Sequence, residues 1–168
     1  MEIVSINKSI RLSEHISLGE VTKSSHTEID NIPSHVAIEN LKRVCVWLED
    51  LRFTYNSLYC LKPGEDYETS KNVEPIIINS GYRSPELNKK VGGAPTSNHL
   101  TGCAVDIRCV GVEQAIRYAA ILLDTADDWK QDFDELLIER NRKGRYWVHF
   151  AVRPPKEGNR RKVMLIQK

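Results

Sequence analysis

Between Ser34 and Asn56 the apolar side chains Val36, Ile38, Leu41, Val44, Cys45, Leu48 and Leu51 recur at intervals of three and four. Glu39, Lys42, Arg43 and Glu49 fall mostly off that stripe, so the segment predicts an amphipathic helix with one buried face. Residues 112–124 repeat the pattern, with Val112, Ala115, Ile116, Tyr118, Ala119, Ile121 and Leu122 on a broad buried side. Shorter segments read as strands. Pro75-Ile-Ile-Ile-Asn79 is β-branched and apolar, as expected of a central strand. Residues 103–109 alternate, and 133–139 and 145–153 are two strands joined by the polar turn RNRKG; 163–166 adds an edge.

Polar punctuation separates these elements. Residues 11–34 read as turns and short helical pieces, with Ser13 and Ser17 as caps and Pro33 as a breaker. The stretch LKPGEDYETSKNVE is a surface loop. Ser84 and Pro85 open a short helix that Gly92-Gly93-Ala94-Pro95 cannot continue. Helices early and strands later give an α+β fold with a small antiparallel-rich sheet and helices packed on it. At 168 residues the chain is expected to form a single domain, residues 1–168, with a real core.

Composition narrows the function classes. The net charge of +1, with both signs intermixed, argues against a nucleic-acid binder. No run approaches the ~20 apolar residues of a membrane span, so no membrane partner is expected. MEIVSINKSIRLSEH lacks a signal pattern, which points to a cytoplasmic location as synthesised. Cys45, Cys60, Cys103 and Cys109 form no CxxC pair. Cys103 and Cys109 flank Asp106, but on a buried strand cysteine acts as a small apolar residue, and reduced thiols are expected.

His99 and Asp106 are seven apart, wrong for one helix face but right for a loop residue feeding a strand through Gly102. On that strand Ala104 and Asp106 share one face, and Cys103, Val105 and Ile107 the other. A lone buried carboxylate loses its hydration, a cost that a metal removes. His149, in WVHFAV, shares a face with Trp147 and Ala151. Each of the three residues alone also fits a structural role. Jointly, two imidazoles and one carboxylate suit one zinc ion with a position left for water, as in hydrolases. His15, His26 and His35 lie in polar segments and read as surface residues.

Peptide hydrolysis also needs a proton acceptor near the metal. Glu139, at the end of Leu136-Leu137-Ile138, is the catalytic candidate, since strand pairing could return it to the site; Asp134 and Glu135 are weaker options. Tyr146 is a fallback oxyanion donor that would touch substrate. Arg83 projects from a strand–helix corner and suits a carboxylate through paired hydrogen bonds. Ser97 fits either a substrate contact or the orientation of its loop.

SGYRS, GGA, SNHLTGCAVDI and WVHFAV together resemble the zinc D-alanyl-D-alanine carboxypeptidase family, which shares its fold with the hedgehog signalling domain. The likeness covers about residues 12–153, including SLGEVTKSS and DNIP, and is nearest to the small bacterial and phage branch. It implies one Zn²⁺ on His99, Asp106 and His149, with Arg83 as the substrate-binding arginine. It implies a peptidase acting on peptidoglycan stem peptides, either a D-Ala-D-Ala carboxypeptidase or an L-Ala-D-Glu-type endopeptidase. A monomer is expected, reaching the wall through a phage lysis system. In the family the acid–base group commonly stands a few residues before the last histidine; here position 146 is Tyr, and Glu139 lies ten before His149. That departure keeps open a non-catalytic zinc-stabilised binding domain; a phage virion structural component of the same fold is a further alternative.

Overall fold

A computed structural model describes residues 7–168; the stretch read for a signal pattern begins outside them. In chain order the elements are α1 (Leu18–Thr22), α2 (His35–Tyr59), β1 (Ile78–Ser80), α3 (Pro85–Lys90), a 3₁₀ turn (Asn98–Thr101), β2 (Ala104–Cys109), α4 (Val112–Trp129), β3 (Glu135–Arg140), β4 (Tyr146–Ala151), a second 3₁₀ turn (Pro155–Glu157) and β5 (Lys162–Gln167). The five strands form one sheet in the order β1-β2-β4-β3-β5. All neighbours are antiparallel except β3 and β5, which run parallel. The fold is α+β.

Two layers result. Val105, Ile107, Leu136, Val148 and Phe150 face the helices and share a core with Leu41, Val44 and Leu48 of α2 and Ala115, Tyr118 and Leu122 of α4. An aromatic cluster ties the layers together, with Trp47 of α2 centred 5.0 Å from Trp129 of α4 and 5.3 Å from Phe150 of β4. Those contacts carry α4 past the predicted residue 124, until Lys130 ends it in the left-handed region. The opposite face of the sheet bears the polar residues Asp106, Glu135, Glu139 and His149, because strand side chains alternate.

Local capping follows the sequence closely. Ser84 accepts from Leu87 N and opens α3 with Pro85 at its first position. Ser17 and Glu20 form a reciprocal capping box on α1. Ser13 caps nothing; its hydroxyl donates to Glu49 at 2.6 Å. Val36 is 68% exposed while neighbouring Ala37 is buried, so the buried stripe of α2 starts one residue later than the periodicity suggests. The 75–79 segment is not a central strand. Only its end enters β1, a three-residue edge strand beside β2, and Ile77 is exposed.

Two glycines fix where the site forms. Gly102 ends the first 3₁₀ turn at φ 73°, and a Cβ there would lie 2.4 Å from the Ala37 carbonyl oxygen of α2. Asn40 of α2 secures the same turn by donating to the Thr101 carbonyl at 2.8 Å. A Cβ on Gly81 would lie 2.3 Å from the Val21 carbonyl, which accepts from Tyr82 N at 2.7 Å. Backbone is therefore packed directly on backbone on both sides of His99.

Gly102→Ala should destabilise the protein by about 2–4 kcal/mol, combining a left-handed residue with a backbone clash. Gly64→Ala, also at positive φ but with open space around it, should cost about 1 kcal/mol. Thermal melts of the two variants check the difference.

Candidate metal centre

His99 is delivered by the 3₁₀ turn, Asp106 by β2 and His149 by β4. Asp106 and His149 are direct partners in the antiparallel ladder, which sets their side chains beside each other on the polar face. One donor atom from each of His99, Asp106 and His149 lies within 4.8 Å of the others. Asp106 Oδ1 is 2.9 Å from His149 Nδ1 and 3.3 Å from His99 Nε2. His99 Nδ1 donates to the Gly81 carbonyl at 2.6 Å. With Nδ1 committed to that carbonyl, Nε2 is the nitrogen that faces Asp106 and would serve a metal.

Electrostatics fit the same assignment. Burial pushes the Asp106 carboxyl up, but the His99 charge and hydrogen bonds from both histidines hold it well below the usual range. Burial pushes His149 down, yet Asp106 and Glu135 together raise it to about 9. A proton on His149 thus does in part what a cation between these donors would do. Two imidazoles and a carboxylate in a polar cleft are donors that suit zinc.

The cleft around them has a volume of about 640 Å³ and includes Arg83, Ser97, Glu135, Glu139 and the Gly92–Ala94 loop. Arg83 donates from Nη2 to Asp106 Oδ2 at 2.7 Å and from Nε to Ser80 Oγ at 2.8 Å. Ser97 Oγ accepts from His99 N at 3.3 Å and caps the ligand-bearing turn, which favours the orienting role over a substrate contact. Glu139 is 4% exposed and points to the His149 face, where its Oε2 accepts from Lys168 Nζ at 2.8 Å.

Tyr146 does not reach this cleft. It lies an odd number of residues from His149 on β4, so its ring turns to the helix face, packs against the core and lies under the Arg140 guanidinium. Its reading as an oxyanion donor fails for that reason. Asp134 is fully buried and accepts from Arg160 and Asn98, which makes it a structural hub rather than a base. Cys103 and Cys109 are unpaired, like all four cysteines, and burial pushes both thiols up, that of Cys109 to about 12. His35 is exposed and His26 half-buried, whereas His15 is half-buried against Glu49 and Arg52.

The family model described as Peptidase M15 matches residues 65–143. Over that span the chain is similar to the M15 peptidases. No curated protein matches the chain. The M15 segment holds Arg83, His99, Asp106 and Glu139 but stops before His149, so the third ligand enters through the β2–β4 register. The M15 family is zinc-dependent, in keeping with the donor set. Glu135, Asn98 and Lys168 are the neighbours whose roles sequence reasoning missed. The pairing of Leu137 with His149 is the signal for Glu135, since residues two away on either side must share that face.

His149 is raised from an ordinary 6.5 to about 9, so its proton stabilises the metal-free fold fully below 6.5, and that contribution fades as pH rises through 9. Glu135 is lowered from 4.5 to about 2, chiefly by its hydrogen bond to His149, so its contribution holds above 4.5 and fades as pH falls through 2. The melting temperature of metal-stripped protein should therefore fall between pH 6.5 and 9. Zinc must displace that proton, so its affinity should rise across the same interval, by up to about tenfold per pH unit. Chelator competition across pH measures this.

Proposed function

We propose that the protein is a zinc-dependent peptidase that hydrolyses peptidoglycan stem peptides, as a D-Ala-D-Ala carboxypeptidase or an L-Ala-D-Glu-type endopeptidase. The observation that carries this reading is the convergence of His99, Asp106 and His149 in a cleft that also holds the separate carboxylate of Glu139. One Zn²⁺ on those three residues would polarise the scissile carbonyl and acidify water.

The remaining steps fall to side chains of this chain. Glu139 accepts the proton of the attacking water and returns it to the departing amine nitrogen. Lys168 holds one oxygen of Glu139 in a fixed direction, which orients the other. Arg83, at the cleft wall, receives a carboxylate of the peptide through its guanidinium. Ser97 keeps the His99 turn in register. The place of action is the cell wall, reached through a phage lysis system, and the working form is a monomer of one domain. Among the described residues no helix is long and apolar enough to cross a membrane.

A second reading, a zinc-stabilised binding domain without activity, is favoured by one observation: the Glu139 carboxylate is already in an ion pair with Lys168. Purified muropeptides incubated with zinc-loaded protein and analysed by mass spectrometry separate the two. Fragments cut at one bond support the peptidase, and intact peptides with stoichiometric zinc support the binding domain.

His149→Ala should lose zinc and activity together. Glu139→Gln should keep zinc and lose about 10²–10⁴-fold in kcat. Full activity in Glu139→Gln would remove Glu139 from the mechanism.

A further inference from the structure

His149 has two ring nitrogens, and only Nδ1 faces Asp106. Its Nε2 lies 3.2 Å from Glu135 Oε2. The same oxygen accepts from Asn98 Nδ2 at 3.1 Å, while Glu135 Oε1 meets Arg160 Nη2 at 3.0 Å and Lys162 Nζ at 3.5 Å. Glu135 is thus held from three sides, and none of those partners is one of the three candidate ligands. We infer that Glu135 is a positioning residue: it accepts the Nε2 proton of His149 and so locks the imidazole in the tautomer and orientation that present Nδ1 to the metal.

The lock extends to the other histidine. Asn98 directly precedes His99, and its amide bridges Glu135 Oε2 and Asp134 Oδ2, at 2.7 Å from the latter. Its carbonyl oxygen accepts from Arg153 Nε at 2.9 Å. Asp134 is tied down by two hydrogen bonds from the Arg160 side chain and by Arg153 Nη2 at 3.1 Å. The turn carrying His99 and the strand carrying His149 are therefore braced against the same two acidic residues at the start of β3. Glu135 and Glu139 flank Leu137 on one face of β3, with Leu137 opposite His149. The two glutamates divide the work: Glu135 orients a ligand and Glu139 handles the proton.

A carboxylate behind a metal-bound imidazole fixes its tautomer and raises its basicity, and losing such a partner typically costs 10–100-fold in metal affinity. This inference rests on the zinc reading above, and Co²⁺ binding tests both separately. Affinity is measured by competition with a chromophoric chelator, and the ligand field by visible absorption. Glu135→Ala should bind Co²⁺ about 10–100-fold more weakly, with an altered spectrum. Glu135→Gln retains an acceptor for Nε2 and should stay within about tenfold of wild type. Wild-type affinity and spectrum in Glu135→Ala would overturn the assignment, as would an equal loss in a folded Glu135→Gln.

A readout on the unmodified protein guards against a variant that fails to fold. Long-range ¹⁵N–¹H spectra of the zinc-loaded wild type should find the His149 proton on Nε2, and a proton on Nδ1 would overturn the proposal. If His149→Ala binds Co²⁺ as tightly as wild type, the metal centre itself is elsewhere and the zinc reading falls instead.

Discussion

Asp106 sits on the second strand of the sheet with two imidazoles on one of its oxygens and the Arg83 guanidinium on the other. A carboxylate removed from water in this way loses several kcal/mol of hydration unless it is surrounded by positive or hydrogen-bonding groups. The polar face of the sheet answers that demand. β4 brings His149 directly opposite, the 3₁₀ turn brings His99 from the side, and the corner after β1 brings Arg83. The turn and the corner are in turn fixed by close backbone contacts at Gly102 and Gly81 that leave no room for a side chain.

The division of the sheet into an apolar and a polar face makes this arrangement tolerable. On the helix side, Val148 and Phe150 join the clusters of α2 and α4, and their burial drives the sheet and helices together. On the other side the same strands alternate Ala104, Leu137, Trp147 and Ala151 with Asp106, Glu135, Glu139 and His149, so the charged groups meet each other across the cleft. Alternation along β2, β3 and β4 therefore accomplishes two tasks with one backbone: it fills a core and gathers a site.

Much of this was legible in the chain. The helical stripe of α2, the cap at Ser84, the turn at Gly102 and the faces of Asp106 and His149 follow from spacing alone, because they depend on neighbours a few residues away. What escaped depends on register across the sheet. Glu135 matters only because Leu137 pairs with His149, whereas the core-facing direction of Tyr146 follows from its odd offset from His149 along β4. The parallel alignment of β5 along β3 has no local signature at all, and it sets Lys162 and Lys168 beside the two glutamates. The apolar run 75–79 reads as central because Ile76 and Ile78 do join the core, although β1 lies at the edge of the sheet.

One strand, β5, thus begins with Lys162 and is followed directly by Lys168, and each lysine meets a different glutamate of the cleft. That strand is bonded on one side only, and Leu165 in its middle is 78% exposed. Outermost strands open at lower free energy than interior ones. Fraying of β5 would release Glu139 from Lys168, whereas Glu135 keeps Arg160 and His149, and His99, Asp106 and His149 stay seated on better-protected backbone. Metal retention and proton handling in this molecule thus belong to regions of unequal rigidity, and warming should loosen the second well before the first.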